Sequence, residues 1–370
     1  MNPVALTRKR ARIGILSPSI WSGGAERWML NLVRFCDPLQ IEWTLCVLTD
    51  PWYDERMLTE LSELMPVCRD GVRYEHGSYR EQPLIEGLRE LSARSEAVLC
   101  WGYTYNFNRM VDGKRVRVIN VSHNFRIDIG RFVTPWHCLG AVSPECAHGF
   151  GELHDRVRVI ENGVDLNRCF PIRERAAMRA EWGVSDDELV IGFIGRLSPV
   201  KNCLALARAV KGLGERARLV FYGESDPDGT ATAEEMMELA GGRILFFEPT
   251  DDVGSVLHAI DVFMLPSLSE GFSLSLLEAW AAGRPVVATR VGSLPRLEER
   301  HGQLVEPIEP DDPPEVLAAA VRAALAAGPE RLARAREMVL RHYHVSRMAA
   351  EWTDFLMAVA DRREIPARAR

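Results

Sequence analysis

Residues 262–282 read VFMLPSLSEGFSLSLLEAWAA and combine three structural signals in one short stretch. The run VFML is typical of a buried strand, and LSLLEAWAA is apolar enough for a buried helix. Between them, PSLSEGFS is rich in small and polar residues and contains Pro266 and Gly271, which indicates a loop. The stretch therefore predicts a strand, a loop and a helix in succession, the repeating unit of a parallel α/β sheet.

The same alternation covers most of the 370 residues. We predict two series of strands, at Arg12–Ser17, Glu42–Leu48, Ala97–Trp101, Val116–Val121 and Val157–Ile160, and at Leu189–Ile194, Ala217–Tyr222, Arg243–Phe247, Val262–Leu265 and Pro285–Ala288. We predict helices between them, among others at Ala25–Phe35, Asn202–Val210 and Ser273–Ala282. The pattern predicts an α/β chain with two doubly wound parallel sheets.

The two predicted domains meet in residues 165–188, which are polar and end with a Gly-Val-Ser-Asp turn. We therefore assign residues 1–170 to an N-terminal domain and residues 171–345 to a C-terminal domain. Residues 346–370 form a predicted final helix. Its apolar face must be buried, since the following residues recur at helical spacing: Val345, Met348, Trp352, Phe355, Leu356 and Val359.

Composition excludes several classes of protein. A net charge of −7 argues against a nucleic-acid partner, which would call for an excess of basic residues. The eight cysteines form no C-x-x-C pair, which indicates reduced thiols. No apolar run reaches the roughly 18 residues of a membrane span, and no apolar segment follows the basic N-terminus as in a signal peptide. We expect a cytoplasmic protein, with peripheral contact at the inner membrane surface left open and the oligomeric state not indicated.

In open α/β sheets, ligands bind beyond the carboxyl ends of the strands. After the first strand, SPSIWSGGAER places Gly23 and Gly24 at a helix start, where backbone N–H groups attract an anion. A plain turn is the alternative. In the second series, GRLSPVKN brings Arg196 and Lys201 into one loop, with Lys201 at a predicted helix start. This pair indicates either an anion site or two solvated surface cations.

Glu270 and Glu278 give the strongest local signal. Glu278 lies among apolar residues of a predicted helix, where an ionised carboxylate needs a partner such as the diol of a ribose. Glu270 lies in the preceding loop and is suited to hold the hydroxyls of a sugar. A structural ion pair beside a turn is the alternative. The same helix start is suited to bind a phosphate, through Gly271, Phe272, Ser273 and Leu274.

Three other features carry weaker signals. His123 directly follows the strand VRVINVS, where a site belongs, although a core or surface histidine fits equally well. Asn162 and Gly163 indicate first of all a turn. Asp226 and Asp228 could together hold a divalent metal, but Pro-Asp-Gly is a strong turn signal and no further cluster supports a metal. We predict a turn there and no metal site.

Four motifs in chain order resemble the GT-B glycosyltransferases, specifically glycosyltransferase family 4: GGAE, NGVD, GR followed by K, and EGFS followed by EA. The resemblance spans residues 13–310 and is most specific in the second half. It implies two Rossmann-like domains that face a central cleft, with the acceptor on the N-terminal side and the nucleotide-sugar donor on the C-terminal side. It also implies that the final helix packs back on the N-terminal domain.

For the donor diphosphate, the resemblance implies that Gly23 and Gly24 meet it in a loop of the N-terminal domain. Arg196 and Lys201 match the pair that neutralises the diphosphate leaving group in place of a metal. No cofactor and no metal are therefore expected.

For the sugar and nucleoside, Glu270 matches the residue that holds the donor sugar hydroxyls, and Glu278 matches the ribose ligand. His123 resembles the family histidine near the reacting centre. In VGSLPRLEE, Ser293 and Arg296 depart from the glycine and glutamate that the family often has, so the donor sugar and the shape of this loop are not given by the resemblance.

The implied activity is transfer of a hexose-type sugar with retention of configuration, by front-face displacement. A UDP-sugar is favoured over a GDP-sugar, and the acceptor is an unidentified glycan, glycolipid or small molecule. Phe125–Cys138 is the candidate acceptor loop, with a structural loop as the alternative. Two alternative functions are a non-catalytic nucleotide-sugar-binding module and a GT-B-like nucleotide-sugar epimerase.

Overall fold

A computed structural model describes the greater part of the chain. The described residues are 9–17, 20, 23–48, 54–70, 74–75, 78–79, 90–101, 116–124, 137–225 and 230–362. Within this part, no helix combines the length and the apolar composition that crossing a bilayer requires.

The chain divides into two compact units. Unit 1 comprises Met1–Trp21, Ala25–Asn162 and Ser346–Arg370, and unit 2 comprises Ser22–Gly24 and Gly163–Val345. The sequence predicts divisions after residues 170 and 345, and in the structure the main divisions fall after residues 162 and 345.

Unit 1 contains a seven-stranded sheet with every neighbouring pair parallel, in the order β3-β2-β1-β6-β7-β8-β9. A separate antiparallel pair is formed by β4 and β5. The bounds are Ala11–Ser17 (β1), Ile41–Leu48 (β2), Val67–Asp70 (β3), Tyr74–Glu75 (β4), Ser78–Tyr79 (β5), Ala97–Cys100 (β6), Arg117–Ser122 (β7), Cys138–Ala141 (β8) and Arg158–Val159 (β9).

Unit 2 contains a six-stranded sheet, again parallel throughout, in the order β12-β11-β10-β13-β14-β15. Its central strands are apolar and buried, as expected where helices cover both faces. The bounds are Leu189–Ile194 (β10), Ala217–Tyr222 (β11), Ile244–Phe247 (β12), Val262–Leu265 (β13), Val286–Thr289 (β14) and Glu306–Ile308 (β15).

Helices connect the strands in both units. They span Gly24–Phe35 (α1), Glu55–Leu64 (α2), Pro144–Ala147 (α3), Arg175–Glu181 (α4), Leu204–Leu213 (α5), Thr230–Leu239 (α6), Val253–Ala259 (α7), Leu274–Ala281 (α8), Leu294–His301 (α9), Pro314–Leu325 (α10), Pro329–His342 (α11) and Val345–Ala360 (α12). Two parallel α/β sheets confirm the predicted fold class, and each of the ten predicted strands overlaps an observed one.

The last helix, α12, completes the core of unit 1. Trp352 is fully buried, and its ring centroid lies 5.2 Å from that of Trp28 on α1. Gly140 on β8 leaves the space that this indole fills, because a Cβ added there would lie 2.9 Å from the Trp352 ring. Cys36 donates a hydrogen bond from Sγ to the carbonyl oxygen of Ala349, at 3.5 Å. The apolar face predicted for this helix is thus buried within unit 1.

Candidate functional site

The chain changes direction across the unit 2 sheet between β10 and β13, which are neighbours although β11 and β12 separate them in sequence. Loops that follow two such strands diverge and leave a crevice at their carboxyl ends, where ligands bind in doubly wound sheets. Here the two loops touch, because the N–H of Leu268 donates to the carbonyl oxygen of Val200 at 2.8 Å. The candidate site therefore lies where these loops meet.

Lys201 and Glu270 form an ion pair at this point, with Nζ 2.6 Å from Oε1. The same carboxylate oxygen accepts a hydrogen bond from the hydroxyl of Ser267, also at 2.6 Å. The side chains of Lys201 and Glu270 are only 21% and 12% exposed. Partial burial removes hydrating water from both the ammonium and the carboxylate. The ion pair stabilises them because each group replaces part of the hydration that the other has lost.

The backbone around Lys201 differs in one detail from the prediction. Lys201 closes a short 3₁₀ turn, Pro199–Lys201, and α5 begins only at Leu204, so the prediction of a helix starting at Asn202 was wrong. Asn202 has φ 51°, a left-handed conformation that interrupts the helix. Its side-chain amide donates to the carbonyl oxygen of Pro310 at 3.0 Å, which holds this conformation in place.

The loop that carries Glu270 is held from the side of β14. The Oγ1 of Thr289 donates to the carbonyl oxygen of Ser267. Ser293 donates to the carbonyl oxygen of Gly271 from its backbone N–H at 3.2 Å and from its hydroxyl at 2.9 Å. Gly292 has φ 61°, and a Cβ there would lie 2.4 Å from the carbonyl oxygen of Glu270, so only glycine fits.

Ser293, which departs from the pattern of the family that the sequence resembles, therefore has a structural role of its own. Its hydroxyl adds a second hydrogen bond to one that the backbone already makes, and its side chain is buried. The residue fixes the loop that carries Glu270 by a side-chain contact that glycine could not provide.

Glu278 lies on α8 and is 6% exposed, in agreement with the apolar surroundings that the sequence indicates. Its Oε1 is 3.6 Å from Nε of Arg168, whose Nη1 donates to Oδ1 of Asp251 at 2.9 Å. Burial would lower the pKa of Arg168, but Glu278 and then Asp251 outweigh burial and raise it above its ordinary value. Arg168 and Asp251 are site residues that sequence reasoning missed, because nothing near Arg168 in the sequence indicates its acidic partners.

The start of α8 is the predicted anion site, and its first turn contains a side-chain cap and backbone N–H groups without a partner in the helix. Ser273 caps the helix by accepting a hydrogen bond from the N–H of Leu276 at 3.3 Å. The N–H groups of Leu274 and Ser275 precede the first intrahelical bond, so they have no partner within the helix. These amides follow directly after the loop that carries Glu270.

Arg196 and the two N-terminal glycines occupy exposed or partly exposed positions. Arg196 is exposed and follows β10 after Gly195, in the same loop as Lys201. Gly24 begins α1, and a Cβ added there would meet no atom within 4 Å, so packing does not demand glycine at this position. Gly23 is partly exposed beside it.

His123 directly follows β7 and packs on an aromatic cluster of unit 1. Its ring lies 4.7 Å from Trp28 and 6.2 Å from Trp101, centroid to centroid. Burial lowers the pKa of His123 from 6.5 to about 3, so the imidazole is neutral at physiological pH. Its Nε2 is buried and has no hydrogen-bond partner among the described residues.

The remaining predictions concern metal ligation and the acceptor loop. Among the residues that the structure describes, no three His, Cys, Asp or Glu side chains are grouped as metal ligands would be. Asp226 and Asp228 lie outside the described residues, as does most of Phe125–Cys138. All eight cysteines are free thiols.

Residues 188–327 match the family described as Glycosyl transferases group 1. A protein of Saccharomonospora viridis named D-inositol 3-phosphate glycosyltransferase is 39% identical over 180 residues, which are 44% of this chain and 42% of that protein. A protein of the same name from Nocardia farcinica is 35% identical over 157 residues, 39% of this chain and 35% of that protein. The chain thus matches less than half the length of these relatives.

Solved structures resemble the chain over nearly its full length. Anabaena Alr3699/HepE in complex with UDP-glucose has a TM-score of 0.78 at 19% identity, covering 94% of this chain and 99% of that one. A glycosyltransferase from Rickettsia africae has a TM-score of 0.72 at 16% identity, covering 95% and 99%. These likenesses concern the fold. The chain therefore has a two-sheet α/β fold like that of these GT-B glycosyltransferase structures, and its residues 188–327 are similar to the glycosyl transferases group 1 family.

Proposed function

We propose that the protein transfers a hexose-type sugar from a nucleoside diphosphate sugar to an acceptor, with retention of configuration and without a metal. The observation that carries the proposal is the pairing of Lys201 with Glu270 at the carboxyl ends of β10 and β13, inside the segment that matches the family. This geometry combines a cation with an acceptor of hydroxyl protons, the two groups that a sugar diphosphate requires.

The chemistry of the pair suits a sugar joined to a phosphate. An ammonium has three N–H donors. Lys201 donates one hydrogen bond to Glu270, so two N–H groups remain for phosphate oxygens. Among the described residues, Lys201 and Ser267 both donate to Oε1 of Glu270, which leaves Oε2 for sugar hydroxyls. Arg196 follows β10 in the same loop and adds a second cation for the diphosphate.

Glu278 is assigned to the ribose of the nucleotide. Its carboxylate is buried and lies 3.6 Å from a guanidinium, and the two hydroxyls of a ribose are the donors that a carboxylate can accept. Arg168 places a positive charge beside this buried carboxylate, the kind of partner that an ionised group needs in apolar surroundings.

In the proposed reaction, the bond between the anomeric carbon and the phosphate oxygen breaks and the acceptor oxygen bonds to that carbon on the same face. The acceptor's proton passes to the departing phosphate. Arg196, Lys201 and the amides at the start of α8 stabilise the charge that develops on the diphosphate. His123 is neutral, its Nε2 has no hydrogen-bond partner among the described residues, and it is proposed to contact the donor sugar.

A UDP-sugar is the favoured donor, and the fold likeness to a protein solved with UDP-glucose supports testing it first. The acceptor is proposed to be a glycan, a glycolipid or a small molecule. The name of the partly matching relatives makes an inositol phosphate one acceptor to include. A cytoplasmic location, with peripheral contact at the inner membrane surface for a lipid acceptor, is part of the proposal.

The test is incubation of the purified protein with UDP-, GDP- and ADP-sugars, each with and without EDTA and a panel of acceptors. Release of the nucleoside diphosphate with an α-linked product from an α-configured donor, measured by NMR, is the expected result. A β-linked product would contradict retention, and complete loss of activity in EDTA would point to a metal at Asp226 and Asp228. Inversion at C2 of the sugar would indicate an epimerase, and binding without turnover a binding module.

A further inference from the structure

Ser267 is buried at the end of β13 and donates its hydroxyl proton to Oε1 of Glu270. We propose that Ser267 is a positioning residue that fixes the plane of the Glu270 carboxylate, so that the oxygen not bound by Lys201 and Ser267 is directed at the donor sugar. The inference rests on the proposed function, because it assigns a sugar contact to Glu270.

Lys201 and Ser267 donate to the same carboxylate oxygen of Glu270. Nζ of Lys201 and Oγ of Ser267 each lie 2.6 Å from Oε1, and no described residue hydrogen-bonds to Oε2. The terminal torsion of a glutamate is broad, so with the lysine as its single donor the carboxylate plane would be free to rotate about that contact. A second donor fixed at the same oxygen restricts that rotation.

Ser267 can serve in this way because it is itself held rigidly. Its side chain is fully buried, and its carbonyl oxygen accepts a hydrogen bond from Thr289. The next residue, Leu268, is tied by its N–H to Val200 in the loop of Lys201. The hydroxyl is thus fixed relative to the lysine that shares its acceptor.

A matched control lies two residues away. Ser269 is also buried in this loop, 4% exposed, and its hydroxyl has no hydrogen-bond partner among the described residues. Ser269→Ala removes the same atom as Ser267→Ala, from the same loop, without removing a contact to Glu270.

The experiment measures calorimetric affinities of the intact protein for two pairs of ligands, UDP with UDP-glucose and GDP with GDP-mannose. For the pair that wild type binds, we expect Ser267→Ala to weaken the sugar nucleotide about 10-fold and to change the free nucleotide less than 2-fold, since one charge-assisted hydrogen bond is lost. Ser267→Thr should restore most of the affinity, and Ser269→Ala should bind as wild type does.

Equal weakening of nucleotide and sugar nucleotide by Ser267→Ala would overturn the inference, because it would show a general disturbance of the loop. No change in either affinity would overturn it as well, while leaving the proposed function intact. If wild type binds none of the four ligands, the proposed function itself fails. Thr289→Val provides a second variant, expected to change the same ratio in the same direction if Ser267→Ala does not fold.

Discussion

Arg168 and Glu278 approach to 3.6 Å although one lies in the turn Leu166–Cys169 and the other on α8. The guanidinium also holds Asp251, so a single buried cation serves two carboxylates. Burial, and then Glu278, also raise the pKa of the neighbouring thiol of Cys169. The carboxylate proposed to bind the ribose thus lies beside a cation from the segment that precedes the unit 2 sheet.

Replacing Arg168 by Leu should weaken UDP binding about 10-fold or more. A buried carboxylate without its cation is costly, and Glu278 would then protonate or turn away from the ribose. Calorimetric titration with UDP measures the effect. Arg341→Ala, which removes an exposed arginine paired with Glu337 one turn earlier, is the control and should leave affinity unchanged. UDP affinity equal to that of wild type in Arg168→Leu would refute this role.

Lys201→Ala should lower the turnover rate by about 10²–10³, by analogy with the loss of one preorganised donor to a developing oxyanion. The fold should persist, as judged by circular dichroism and thermal unfolding. Lys211, an exposed lysine on α5, supplies the matched control, and Lys211→Ala should retain full activity. A turnover rate for Lys201→Ala within a few-fold of wild type would be inconsistent with leaving-group stabilisation by this lysine.

His123 should make the protein sensitive to acid. Its pKa is lowered to about 3 in the folded state, against an ordinary value of 6.5. Below pH 6.5 the unfolded chain takes up a proton that the folded chain does not, so stability present at neutral pH is lost as the pH falls towards 3. The loss is about 1.4 kcal/mol per pH unit.

The measurement compares the free energy of unfolding of wild type and His123→Phe as a function of pH. Between pH 6.5 and 5 the variant should gain about 2 kcal/mol relative to wild type. The comparison at pH 7.5 and 8.5 is the control, because His123 is neutral in both states there. A constant difference over the whole range would show that His123 titrates alike in the folded and unfolded chain.

Trp352→Ala should destabilise unit 1 by about 3–5 kcal/mol, since it removes the largest side chain that α12 buries. Urea unfolding followed by tryptophan fluorescence and circular dichroism measures the change. Asp354→Ala, at an exposed position of the same helix, should change stability by less than about 0.5 kcal/mol. A similar effect of both substitutions would contradict the packing of Trp352 against Trp28 and Gly140.

The sheets could be predicted because their central strands are continuous apolar runs, which are the clearest signal of strands buried on both faces. The strand β8 was missed because Cys138–Ala141 is short and contains Gly140. That glycine is required by Trp352, a residue too distant in sequence to reveal the need. The strand β15 contains Pro307, which is tolerated at the edge of a sheet but argues against a strand when only the sequence is known.

The candidate site, like the sheets, could be predicted from the sequence only in part. Lys201, Glu270 and Glu278 could be singled out because charged residues in loops after strands, or within apolar helices, are exceptional locally. Ser267 and Arg168 could not, because serine is common in loops and an arginine in a polar connector is ordinary. Their importance depends on contacts with residues brought close only by the fold.

The position of α12 also has a consequence for biosynthesis. Unit 2 is nearly continuous in sequence, whereas unit 1 lacks the indole of Trp352 until the last part of the chain has been made. During translation, most of unit 1 is made first, but the space beside Gly140 stays unfilled until Trp352 has been added. Unit 2 is made later and would nevertheless complete its core earlier. Nascent chains ending before residue 345 should therefore expose apolar surface on unit 1 that chaperones recognise.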